Sequence, residues 1–270
     1  MGRHLTGRAV NLSHAFLDDE TPLTPEAVTV TVTREGATTA TTTGPALKSG
    51  DVYTYSAGAL PEGRYAVRWD GGVTAVDLAA VEVVGGHLFT LPELRGTDED
   101  LTPQRFPTVE TKLAREVVEA EFQRITGRSF TPRTAYLAAS ELPAPGELLP
   151  FRDVRSVTVL GTSPGPVAVE RIGPYAYMPE LPDDATGVEV AYGFTNVPTG
   201  IHRVAMIYAR WLLVAERSAI PDRATSYQPA DGGTYTLSTP GRGGAETGIP
   251  DVDAVLDGYR LKMVEAVRIG

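Results

Sequence analysis

An alternation of period two, running with interruptions from Ala27 to Val84, narrows the fold more than any other feature of the sequence. VTVTVT (Val28 to Thr33), VYTYSAG (Val52 to Gly58), RYAVRW (Arg64 to Trp69) and VEVV (Val81 to Val84) alternate β-branched or aromatic residues with polar or small ones. Successive side chains of an extended chain point to opposite faces, so each segment predicts a strand with one buried face. Between them stand Arg34-Glu35-Gly36, Lys48-Ser49-Gly50-Asp51, Pro61-Glu62-Gly63 and Asp70-Gly71-Gly72, which are turn-forming runs. Short strands separated in this way predict an antiparallel β-sandwich of immunoglobulin-like type over residues 1–98. With no cysteine there is no inter-sheet disulfide, and Trp69, Tyr55 and Tyr65 are the expected core fillers.

Composition sets the outer limits. The 270 residues are 42% hydrophobic and 21% charged, with 28 Gly and 21 Pro, which suits a folded, turn-rich chain with room for two domains. A net charge of -10 repels phosphate backbones and argues against sequence-reading nucleic-acid binding. The absence of cysteine removes thiolate metal sites and cysteine nucleophiles together. MGRHLTGRAVNLSHAF has no continuous apolar core, and no window approaches the roughly 18 apolar residues of a membrane span. A protein made and used in an aqueous compartment, with no membrane partner, is expected.

After Leu94 the pattern changes. LRGTDEDLTPQRFP (Leu94 to Pro107) is polar, acidic and bounded by proline, as a linker would be, and a second domain over 99–270 follows. TVETKLAREVVEAEFQRITGRSF has apolar residues Val109, Leu113, Val117, Phe122 and Ile125 at helical spacing, predicting one amphipathic helix at about 107–126 with Gly127 as its left-handed C-cap. TAYLAAS, RSVTVL, VAVERI, AYMPEL and GVEVAYGF read as inserted strands. A helix over 199–220 follows, with Asn196 or Thr195 as cap and Pro198 in its first turn. Arg203, Arg210 and Arg217 recur on it every seventh residue, a polar stripe on an otherwise apolar cylinder that packs within its own domain or on a neighbouring subunit. TSYQPADGGTYTLS holds one short strand candidate. A terminal helix over 251–269, capped by Asp251, carries Val252, Val255, Leu256, Tyr259, Met263, Val264 and Val267 at helical spacing.

No set of residues in the sequence makes a convincing catalytic or metal site. GTSPG (Gly161 to Gly165) matches a nucleophile elbow in letters, but Pro164-Gly165-Pro166 leads toward another strand where the elbow requires a helix. His4, His14, His87 and His202 are scattered without ligand spacing. Asp18-Asp19-Glu20, Asp98-Glu99-Asp100 and Asp183-Asp184 lack the spacing of a calcium loop and read as solvated turns. Gly241, Gly243, Gly244 and Gly248 precede the last helix without the Lys-Ser/Thr of a phosphate loop. No catalytic residue, cofactor or metal is expected.

Three stretches together carry a resemblance: a helix ending in GRSF (Gly127 to Phe130), a strand region ending in VAYGFTNVP (Val190 to Pro198) before a long apolar helix, and TPGRGGAETGIPDVDAVLDGYR (Thr239 to Arg260). Residues 105 to 270 resemble head-to-tail connector (adaptor) proteins of long-tailed bacteriophages, and the last stretch closely resembles the C-terminal part of such connectors in phages of actinobacteria. The resemblance implies a structural virion protein of the neck, assembled in the host cytoplasm. It forms a homo-oligomeric ring of twelve copies beneath the portal protein, lengthens the DNA channel and offers a platform to the next neck or tail-completion protein. DNA passes through without sequence-specific binding.

By position, the resemblance assigns portal docking to Ile249, Val252, Val255, Leu256, Tyr259, Arg260, Met263, Val264 and Val267. A flexible hinge falls at Gly241, Gly243, Gly244 and Gly248, and a ring interface at Arg203, Arg210, Trp211 and Arg217. The N-terminal sandwich departs from simpler connectors, which consist of the helical core alone. A rival reading makes the sandwich a carbohydrate- or surface-binding module anchored by the helical half; it requires Tyr53, Tyr55, Tyr65 and Trp69 on the surface.

Overall fold

A computed structural model describes residues 2–215, 226–227, 235–236 and 246–260. The fold is mixed α+β, with a strand-rich N-terminal region and few helices. The chain divides into two compact units, Met1–Gly86 with Thr131–Phe194, and His87–Phe130 with Thr195–Gly270.

The first unit begins with β1 (Gly2–Leu5), β2 (Ala9–His14), β3 (Phe16–Asp18), β4 (Thr21–Leu23) and β5 (Thr29–Arg34). It continues with β6 (Thr42–Pro45), β7 (Leu47–Ser49), β8 (Val52–Ala59), β9 (Gly63–Asp70) and β10 (Val76–Val84). One sheet has the order β1-β10-β9-β5-β6, a second the order β2-β8-β7, and β3 and β4 form a separate hairpin. All these pairs are antiparallel except β1 with β10, where Gly2 lies opposite Val81 and Leu5 opposite Val84.

Alternation places the core. In β9, Tyr65, Val67 and Trp69 are buried while Arg64, Ala66 and Arg68 face solvent. These three join Val10, Leu12, Val30, Val32 and Tyr53 in one hydrophobic cluster drawn from both sheets. Burying each large side chain stabilises by about 1.5–3 kcal/mol relative to exposure. Trp69 and Tyr65 are core fillers as expected, and Tyr55 packs half-buried at the edge of the cluster.

The later strands of this unit are β11 (Arg133–Ala138), β12 (Ser156–Leu160), β13 (Gly165–Val167), β14 (Arg171–Ile172), β15 (Tyr175–Ala176) and β16 (Gly187–Tyr192). They form a sheet of order β11-β16-β12-β13 and a small β14-β15 pair over a second cluster that includes Leu149, Val157, Met178, Val188 and Val190. Ion pairs, that of Glu82 with Arg133 buried and that of Arg34 with Glu189 half-buried, join the early and late strands. Glu82, 1% exposed, receives the guanidinium groups of Arg133 and Arg3, and Arg34 reaches Glu189 at 2.9 Å. The Gly85 N–H also donates to the Pro132 carbonyl at 2.9 Å.

The second unit holds α1 (Leu91–Gly96), α2 (Thr108–Thr126), α3 (Thr199–Ala215), α4 (Pro250–Asp257) and a two-residue pair, β17 (Ser226–Tyr227) with β18 (Tyr235–Thr236). Helix α1 corrects the linker expected over Leu94 to Pro107. Thr90 and Glu93 form a capping box that starts it, and Leu94, Leu101 and Phe106 are buried within the acidic run. Helix α3 starts at Thr199, with the Pro198 carbonyl accepting from the His202 N–H, so Asn196 and Thr195 lie ahead of its cap. Helix α4 also starts earlier than expected. Proline at its first turn needs no N–H partner, and Asp251 stands inside that turn instead of capping it.

Candidate functional site

Helix α2 ends where Gly127 takes φ 69 and returns its N–H to the Gln123 carbonyl, as its sequence predicts. Its orientation differs from a simple amphipathic helix. Phe122 is fully buried, but Val109, Leu113 and Val117 are 77%, 61% and 42% exposed.

The inward face of α2 instead carries Thr111, Ala114, Arg115, Val118, Glu119, Phe122 and Thr126. Polar anchoring explains the choice. The Glu119 carboxylate accepts the Leu88 N–H at 3.2 Å and lies 3.1 Å from His87 Nδ1. Arg115 donates to the Phe89 carbonyl at 3.4 Å, and the Thr111 hydroxyl donates to the Pro107 carbonyl at 3.1 Å. Backbone groups of residues 88 and 89 need such partners when buried. Once Arg115 and Glu119 turn inward, helical geometry sends Val109, Leu113 and Val117 outward.

Helix α3 lies beside α2, with the Phe122 and Tyr208 rings stacked at 6.1 Å and 12°. Ile201, Val204, Ala205, Ala209 and Leu213 bury its inner side. On its outer side Ile207, Trp211 and Val214 are 36%, 41% and 41% exposed. Trp211 stacks on Tyr208 at 5.8 Å and 14°, which extends the aromatic row from the core to the surface. Of the expected ring-interface set, Arg203 is exposed, Arg210 pairs with Asp98, and Trp211 is half-exposed; Arg217 lies outside the described residues. The Asp98 carboxyl is held below the usual range by the Asp100 backbone N–H and then by Arg210.

Val252 and Leu256 of α4 are 0% exposed, and α4 packs against α2 and α3 within its own unit. Val255 is half-buried and Ile249 stands at the helix N-cap. The Thr247 hydroxyl donates to the Asp253 carboxylate at 2.9 Å and fixes the chain just ahead of the helix. Gly248 takes φ 77, a conformation that favours glycine. Tyr259 meets Phe130 edge-on, and Arg260 reaches Glu246 at 2.9 Å. Arg124 binds the same carboxylate at 3.0 Å. These two guanidinium groups, Arg124 first, keep the Glu246 carboxyl below its ordinary value. Met263, Val264, Val267, Gly241, Gly243 and Gly244 lie outside the described residues.

Ser163 sits in the turn between antiparallel β12 and β13, without the following helix of a nucleophile elbow. Asp100 pairs with Arg105, and Asp184 accepts the Thr162 N–H. Among the described residues no group of three or more His, Asp or Glu side chains could hold a metal. A cleft of about 360 Å³ in the first unit is lined by Arg34, Glu62, Arg155 and Glu189, but each of these arginines already faces a carboxylate. Tyr53, Tyr65 and Trp69 are buried, so they offer no stacking platform for sugars. No described helix is long and apolar enough to cross a membrane. In comparisons with known proteins, no family model and no curated protein sequence matches the chain.

Proposed function

We propose that the chain is a structural subunit of the neck of a long-tailed bacteriophage, forming a ring that binds the portal, lengthens the DNA channel and links the filled capsid to the tail. The observation that carries this reading is the meeting of its separate motif segments in one unit. Phe130 of GRSF contacts Tyr259, and Glu246 joins Arg124 of α2 to Arg260. The helix that follows TNVP packs against α2 and α4. The strong acidic balance also suits a conduit through which DNA slides without retention.

In this reading α4 anchors the C-terminal segment through Val252 and Leu256, and portal contact falls to residues 261–270, with Met263, Val264 and Val267. Many copies around a ring recover by avidity what each short segment lacks in affinity. The first 86 residues are read as an immunoglobulin-like sandwich. Their strand orders β1-β10-β9-β5-β6 and β2-β8-β7 support it, as does the Tyr65 hydroxyl donating at 2.9 Å to the Pro61 carbonyl four residues upstream, a tyrosine corner. Recruitment or stabilisation of a neighbouring neck component is its assigned role.

Electron microscopy of the purified protein mixed with portal-bearing capsids that lack it tests the proposal. A ring of density at the portal vertex alone, lost when residues 261–270 are removed, is expected. No density at any vertex would refute the connector reading. The deletion stops short of α4 because removing that helix would open the unit's core.

A further inference from the structure

The polar face of the β11-β16-β12 sheet forms the floor of the cleft beside Arg34. Thr134, Ala191 and Ser156 lie in one register row across the three strands, and Glu189 and Thr158 in the next. The opposite face of this sheet buries Val157, Val159, Val188 and Val190 in a core cluster. Above the polar face, Thr6, Pro61 and Glu62 help to close a cleft of about 360 Å³, a size within the range of about 300–1,000 Å³ found for small-molecule sites. Surfaces that meet for stability alone are close-packed, whereas here the small side chain of Ala191 leaves the space open and hydroxyls line it.

The charges in the cleft narrow what it can hold. Arg34 pairs with Glu189 at 2.9 Å and Arg155 with Glu62 at 3.3 Å, so the charged lining sums to zero. A lone anion would have to displace a carboxylate, and a lone cation a guanidinium. An apolar ligand would strip water from both pairs without replacing its hydrogen bonds. Among the described residues the hydroxyls of Thr134, Ser156 and Thr158 make no hydrogen bond. Each guanidinium also has five N–H donors and each carboxylate several lone pairs, more than their present contacts use. A neutral molecule that both donates and accepts at many points matches this lining, and the hydroxyl groups of a sugar do both.

We propose that this cleft binds a saccharide unit. Glu189 and Glu62 accept hydrogen bonds from sugar hydroxyls, Arg34 and Arg155 donate to sugar oxygens, and Thr134, Ser156 and Thr158 supply further contacts. No aromatic ring is among the residues that line the cleft, so affinity comes from hydrogen bonds without stacking and lies near about 1 mM. Every lining residue belongs to the first unit, so the site does not depend on the portal-binding role proposed for the C-terminal segment.

Titration of the nitrogen-15-labelled full chain, followed by amide NMR, tests the proposal. The probes are the methyl glycosides of glucose, galactose and mannose, and N-acetylglucosamine. At least one should give saturable shifts at Thr134, Ser156, Thr158 and Glu189, while sodium acetate and ammonium chloride at equal concentration should leave those signals in place. The double variant Ser156→Ala/Thr158→Val removes two hydroxyls and should weaken the binding about tenfold. Ala191→Leu fills the cleft and should abolish it, and unchanged amide signals in the rest of the chain establish that each variant is folded. A tetrasaccharide of the sugar that binds separates the sources: tighter binding than the single unit assigns the site to a glycan chain, equal binding to a free sugar. The absence of saturable shifts with all of these sugars, shifts confined to other parts of the chain, or affinity that the Ser156→Ala/Thr158→Val variant leaves unchanged would overturn the proposal.

Discussion

The rings of Phe130 and Tyr259 meet edge-to-face, their centroids 5.2 Å apart and their planes at 88°. Phe130, 3% exposed, closes the loop after α2, while Tyr259 follows α4, so one contact fastens two chain segments far apart in sequence. Substituting both residues by alanine, singly and together, should give a coupling energy of about 0.5–1.5 kcal/mol in denaturant unfolding. Additive single effects would show that the rings act independently.

Truncations in α4 and on the outer face of α2 should differ sharply in their effect on stability. Leu256→Ala empties a fully buried site and should cost about 2–5 kcal/mol in chemical unfolding. Leu113→Ala, at a 61% exposed position, should change stability by no more than about 0.5 kcal/mol.

The Glu82 carboxylate pairs with both Arg3 and Arg133, the side-chain exposures being 2%, 12% and 6% respectively. Glu82→Gln puts a neutral amide where a buried charge faced these two guanidinium groups. A loss of about 3–5 kcal/mol, read from the unfolding midpoint, is expected for breaking a buried pair of this kind. Replacing all three residues by apolar ones of similar volume should cost less than the single change.

Acid should loosen the Glu246 junction. Its carboxyl has an ordinary value of 4.5 and lies lower in the folded unit, so protonation opposes folding there. Its contribution is therefore fully present above the ordinary value and disappears as pH falls through the lowered folded-state value. The stability difference between the unaltered chain and Glu246→Gln should be present at neutral pH and close on acidification. A difference that stays constant down to strong acid would contradict the assignment.

The strands that alternate, β5, β8 and β9, were legible because one side of each meets a core, whereas VEVV at the end of β10 is buried on both faces. Strands β1 and β2 were not: GRHL and AVNLSH mix glycine, histidine and asparagine, and β1 is fixed by pairing with the distant β10. Helix α1 did leave a sign in Thr90 and Glu93, hidden by the acidic run behind it. The presence of α2 was equally plain, but its orientation was not. Counting apolar positions selects Val109, Leu113 and Val117, whereas the buried face is chosen by what Glu119 and Arg115 must satisfy on residues 87–89. Such a requirement appears only when those residues are brought together. The same limit applies to α4, where spacing alone could not distinguish core residues Val252 and Leu256 from partner contacts.

The interleaving of the two units also sets a schedule for synthesis. The first 86 residues leave the ribosome well before strands β11 to β16, which share their unit, and α2 emerges before α3 and α4 can cover it. Neither unit can close while the chain is only half made. By the same connectivity, a gene fragment starting at residue 99 would encode β11 to β16 without the carboxylates of Glu62 and Glu82 that pair with Arg155 and Arg133.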